Sequence, residues 1–161
     1  MELRGSCHCQ AVRFTLDSQH PYPFMLCYCS ICRKTNGSGG YGINLSGDFR
    51  TLEVEGKKNV AVYRARIADG EGGSRESNGE RSFCKRCGSG LWVWSPDWPD
   101  LVHPFASAID TELPAAPEHT HILLGSKAGW VPLHVQPGDR QFDGYPDESI
   151  AAWHTRLALE R

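Results

Sequence analysis

No stretch of this 161-residue sequence approaches the roughly 20 consecutive apolar residues of a membrane span, so no membrane partner is expected. The amino terminus, Met1-Glu2-Leu3-Arg4-Gly5, has neither a basic n-region nor an apolar h-region, and a secretory signal is not visible. Charge of one sign is also missing: 17 basic residues face 19 acidic ones, the net charge is −2, and no long basic run occurs. A global electrostatic fit to nucleic acid is therefore not expected. Serine-centred triad spacing and a dinucleotide fingerprint are absent, and Gly37 to Gly42 lacks the Lys-Ser/Thr ending of a phosphate loop. What remains is the expectation of a soluble, cytoplasmic protein forming one domain over residues 1–161, without internal repeats beyond recurring cysteine pairs.

Long helical patterns are scarce too. Short alternating segments separated by Gly, Pro, Asn and Asp predict a mainly β, antiparallel architecture. Val12, Phe14 and Leu16 alternate with polar or small residues, and a second alternation runs from Asn59 to Ile67. Further strands are predicted over Tyr41 to Leu45, Gly90 to Trp94, Leu101 to Ile109 and His119 to Leu124. Five prolines between Pro96 and Pro117 exclude long helices from that half. One short C-terminal helix is expected, with Asp147 as N-cap and Ile150, Trp153 and Leu157 as its apolar stripe. The segment Asp69 to Glu80 has almost no apolar content and reads as a mobile surface loop.

What the sequence does have is cysteine, seven of them in three tight clusters: Cys7-His8-Cys9, Cys27-Tyr28-Cys29-Ser30-Ile31-Cys32 and Cys84-Lys85-Arg86-Cys87. An odd count fits poorly with a disulfide framework, and in a reducing compartment clustered cysteines point to metal. Cys84-x2-Cys87-Gly88 has the form of a zinc-knuckle turn, and with Cys7-x-Cys9 it supplies the four thiolates of a closed tetrahedral site. Cys27, Cys29 and Cys32 are three within six residues, with Cys32 turned back by a helical turn from Ile31 to Lys34 that Ser30 would cap. With no fourth protein ligand, such a site keeps an open position and is catalytic in type; with a distant His103 or His121 as fourth ligand, it is closed. The expectation is two zinc ions per chain. Three thiolates on a divalent ion leave a negative centre, better suited to holding a substrate thiol as thiolate than to acidifying water.

Gly5-Ser6-Cys7-His8-Cys9, Cys27 through Lys34, Phe83-Cys84-Lys85-Arg86-Cys87-Gly88-Ser89 and His121 through Trp130 together resemble the glutathione-dependent formaldehyde-activating (GFA) family, which includes centromere protein V. The resemblance spans most of the chain. It implies an antiparallel β-tent zinc fold, with structural zinc on Cys7, Cys9, Cys84 and Cys87 and catalytic zinc on Cys27, Cys29 and Cys32. It also implies a carbon–sulfur lyase type of reaction that interconverts formaldehyde plus glutathione with S-hydroxymethylglutathione. The sequence departs from the family pattern at Gly37 to Gly42, in the apparent insertion Asp69 to Glu80, and in the tryptophan-rich Trp92 to Pro99.

Around the open site, Arg33, Lys34 and Lys127 are candidate partners for the carboxylates of a thiol substrate such as glutathione. His103 is the first candidate for the acid–base group, with His121 as substitute. Tyr28 either lines the pocket or packs, packing being the favoured role, and His8 is expected to point away from its flanking cysteines. The competing function is a non-catalytic zinc-supported β module, using exposed tryptophans and Lys85-Arg86 to bind a macromolecule.

Overall fold

The computed structural model describes residues 1–68, 70 and 72–160. Their architecture is mainly β, in three sheets. The first joins β1 (Glu2–Ser6), β2 (Arg13–Asp17) and β6 (Glu53–Glu55). The second runs β5 (Gly47–Asp48), β10 (Leu101–Pro104), β9 (Gly90–Trp94), β8 (Ser74–Cys84), β7 (Val60–Ala68). The third runs β12 (Arg140–Gln141), β11 (Thr120–Ile122), β3 (Met25–Cys27), β4 (Gly42–Ile43). Every pairing in the first two sheets is antiparallel, whereas β11 pairs in parallel with both β3 and β12. That mixed sheet departs from the purely antiparallel expectation. It brings residues about 95 positions apart side by side, Ile122 against Cys27.

The alternating pattern does its expected work in β1 and β2, where Leu3, Phe14 and Leu16 turn inward to meet Leu45, Leu91, Trp92 and Val102. Phe14 meets Trp92 edge to face at 5.1 Å. Gly5 allows this: a Cβ there would stand 2.3 Å from the Phe14 ring.

Three expectations are corrected. Most of the segment read as a mobile loop belongs to β8, paired with β7 from Val60↔Cys84 to Ala68↔Ser74; Asp69 and Glu71 lie outside the described residues. This outer hairpin faces water and is held by its ladder and by polar pairs across it. Arg64 bridges Glu76 and Glu80, and Arg66 donates to Ser74 Oγ at 2.8 Å. An apolar-content criterion cannot detect such a strand. The C-terminal helix α2 (Ile150–Arg156) is capped by Ser149, whose side chain accepts from Ala152 N, and not by Asp147, which instead pairs with Arg140. The helix α1 (Ser30–Asn36) is capped by Cys29, whose Sγ accepts from Cys32 N at 3.3 Å, so Ser30 is its first residue and not its cap. The apolar stripe of α2 behaves as read: Trp153 is fully buried and stacks on Phe24 at 3.8 Å.

Candidate functional site

Two turns build the first cysteine group. Cys7 N donates to Val12 O and Gln10 N to Cys7 O, a tight loop that places Gln10 in the left-handed region at φ 61°. On the facing hairpin, Cys84 N donates to Ser89 O and Gly88 N to Cys84 O, with Gly88 at φ +77°, where glycine carries no steric cost. The four Sγ atoms of Cys7, Cys9, Cys84 and Cys87 lie within 4.8 Å of one another. The Cys7–Cys9 and Cys9–Cys84 sulfurs are 3.6 Å and 3.8 Å apart. A tetrahedral zinc with Zn–S bonds of about 2.3 Å has S···S edges of about 3.8 Å, so the donor set fits that ion. Cys7 and Cys84 are buried in the main core, while Cys9 and Cys87 reach the surface.

The second group stands where the third sheet meets α1. Cys27 ends β3, Cys29 caps the helix, and Cys32 projects from its first turn. Their sulfurs also lie within 4.8 Å of one another, and among the described residues no histidine or carboxylate joins them. Met25, Ile122, Leu123 and Phe142 wall the group, and Asn44 Nδ2 points at Cys32 Sγ from 3.8 Å. Hydrogen bonds from Cys27 and Cys32 pull the Cys29 thiol far down, whereas the hydrogen bonds to Cys29 and Cys32 push Cys27 far up. Such crowded sulfurs cannot ionise together unless a cation sits among them, which is what a metal supplies.

Tyr28 turns away from the sulfurs on either side. It packs with Leu26 and Val131 and its hydroxyl meets His121 Nδ1 at 3.0 Å. His121 Nε2 meets Asp139 Oδ2 at 3.3 Å, and Asp139 also accepts from His119 N and Gln136 N. Burial opposes that carboxylate's charge, yet these hydrogen bonds outweigh it and hold Asp139 below the usual range. Burial pushes Tyr28 up to about 12. His121 is thus fully engaged in a buried Tyr28–His121–Asp139 chain behind the three-cysteine group, and both of its ring nitrogens are taken.

The other predicted residues divide. Arg33 and Lys34 follow Cys32 on α1 and line a polar cleft of about 590 Å³ with His8, Ser38, Ser89 and Asp110. That cleft adjoins the four-cysteine loops and the outer side of α1; its lining includes none of the three cysteines of the second group. Lys127 Nζ donates to Val131 O at 2.7 Å and to Ala128 O, closing its own loop. His103 pairs its Nδ1 with Leu45 O at 2.7 Å, its ring edge-on to Trp98, and burial lowers its pKa. His8 is exposed, and its backbone N donates to Ser89 Oγ. Sequence reasoning missed Asn44, Arg81 and Tyr145. The Arg81 charge acts on Cys32, and the three sulfurs act in turn on Tyr145, a residue 79% exposed. Each is a single residue on a strand or turn, with no motif to mark it.

Comparison with known proteins gives the same partition a family context. The model of the family described as glutathione-dependent formaldehyde-activating enzyme (GFA) matches residues 2–126. The chain belongs to the GFA family. A GFA relative from Halomonas elongata, provisionally named glutathione-dependent formaldehyde-activating enzyme, is 60% identical over 160 residues, covering 99% of each chain. A crystal structure of a Rhodobacter sphaeroides protein aligns with a TM-score of 0.49 at 21% identity, over 72% of this GFA chain and all of that one. Among the described residues, no helix is long and apolar enough to cross a membrane.

Proposed function

We propose that this GFA-family protein is a zinc-dependent enzyme of the carbon–sulfur lyase type acting on a glutathione adduct. The reading places one zinc on Cys7, Cys9, Cys84 and Cys87 and a second on Cys27, Cys29 and Cys32. The observation that carries it is the difference between the two groups: four sulfurs complete a tetrahedron, while three lie together with no fourth side-chain ligand among the described residues. Bound zinc would supply positive charge that favours the ionised form of a sulfur brought to the unfilled position.

In the synthetic direction the thiol sulfur attacks the formaldehyde carbon and a C–S bond forms. The C=O π pair moves to oxygen, which takes up the proton the thiol gave away, and cleavage is the reverse. The chain's part is to bind, orient and move that proton. Asn44, with its Oδ1 buried and unbonded and its Nδ2 on Cys32, presents a polar atom beside the sulfurs. Arg33 and Lys34 offer charge for substrate carboxylates; Lys127, named with them, spends its ammonium on two backbone carbonyls. His103 is the acid–base group of this proposal. Burial lowers its pKa, and the Asn44-Leu45 segment touches both His103 and Cys32.

The binding-module alternative would rest on Trp130, which is exposed, and not on the tryptophan-rich segment Trp92 to Pro99. Trp92 is buried, Trp94 donates to Pro99 O and stacks on Phe49, and Trp98 packs on His103, so that segment is occupied internally. Metal quantification with glutathione titration tests the proposal. Two zincs per chain, one perturbed by glutathione, is the expected result, and two inert zincs or a metal-free second group overturns it.

A further inference from the structure

Arg81 lies on β8 opposite Tyr63 and Val93. Its Nε is buried without a hydrogen-bond partner, and among the described residues no carboxylate pairs with it. Arg81 lines a cleft of about 320 Å³ whose other walls include Tyr63, Phe83, Phe105 and Lys34. That cleft shares Lys34, Thr35, Gly88 and Gly90 with the larger polar cleft on α1, so the two meet along the helix. The cleft runs along α1, the helix that also carries Cys32.

A guanidinium with a dry, unbonded Nε against aromatic walls is unfavourable unless an anion completes it. The sulfur group provides charge across space, but Nε donates no hydrogen bond to it. A planar carboxylate matches the fork and satisfies Nε together with a terminal nitrogen. We infer that Arg81 is a substrate-binding residue that anchors a carboxylate of the thiol substrate, whose body lies along the α1 groove toward Lys34 and Arg33. The inference rests on the thiol reading above and adds to it the residue that receives the carboxylate.

Calorimetry with S-methylglutathione, which keeps both carboxylates but cannot offer a thiolate, tests Arg81 apart from the metal. The expected result is at least about tenfold weaker binding by Arg81→Met and an intermediate loss by Arg81→Lys, with both metals retained. The dimethyl ester of the same compound should bind wild type and Arg81→Met alike. Unchanged affinity in Arg81→Met, equal sensitivity of the ester, or no binding of S-methylglutathione by the wild type overturns the inference. Loss of one metal equivalent in Arg81→Met also overturns it, because Arg81 would then be the counter-charge of the sulfur group. If Arg81→Met does not fold, Arg81→Lys decides by the same criteria. Glutathione binding no tighter than S-methylglutathione sinks the thiol reading while leaving the Arg81 result standing.

Discussion

Cys7 and Cys84 sit at zero exposure in the same core as Leu3, Phe14 and Leu91, Cys7 on the β1–β2 turn of the first sheet and Cys84 at the end of β8 in the second. Cys27, Cys29 and Cys32 sit instead within one short strand and one seven-residue helix, walled by a smaller cluster. The ligand atom is the same in both. The first group crosses about 75 residues of chain to close, so a metal there holds distant strands together; the second is local and asks little of the rest of the fold. The contrast lies in ligand separation along the chain and not in ligand identity, and a metal held across distant strands contributes directly to folding.

The largest test of that contrast is Cys84→Ser. Structural zinc binding is folding free energy on the order of 10 kcal/mol, so this variant should lose cooperative unfolding and near-ultraviolet circular dichroism. Cys32→Ser should instead lose one metal equivalent and all turnover while its melting temperature moves by less than about 5 °C. Equal loss of structure in both variants would erase the distinction. A smaller effect probes what stands behind the open group. Tyr28→Phe leaves His121 Nδ1 buried without its partner and should cost about 1–3 kcal/mol in denaturant titration. It should also weaken metal at the second group and not at the first, measured by staged chelation.

The smallest expected effect separates acid sensitivity of the fold from that of the sulfurs. His154 is fully buried, its Nδ1 on Ile150 O and its Nε2 accepting from Tyr22 N, with His20 at 4.9 Å and Glu160 also acting on it. Burial lowers its pKa, so the unfolded chain binds the extra proton first. The stability it contributes is complete above about pH 6.5 and is lost as pH falls through the depressed folded value. His154→Gln should show a shallower loss of melting temperature between neutral and mildly acid pH; an unchanged slope would show that His154 does not carry the acid sensitivity of the fold.

Much of this was legible beforehand where the physics is local. Gly90–Trp94 is read to the residue, and β2 and β7 to within one or two, because alternation over a half-buried strand leaves a period of two. Ser74–Cys84 was not legible, because a water-facing hairpin is held by its backbone ladder and charge pairs without burying an apolar face. The parallel contact of β3 with β11 leaves no trace in either segment, since three-residue strands carry no period and the pairing spans some ninety residues.

The sequence by itself determined the sulfur chemistry of this protein. Cysteines spaced one or two residues apart can share a metal whatever the distant chain does, and their division into four and three follows from spacing. Only the tertiary structure decided what surrounds the three. His121 is drawn into a buried chain with Tyr28 and Asp139, Lys127 closes its own loop, and Arg81, unremarkable in the sequence, is left without an anion beside an open groove. Those outcomes depend on which side chains meet across sheets and on which polar atoms are satisfied there. Both depend on distance and burial, quantities that exist only once the chain has folded.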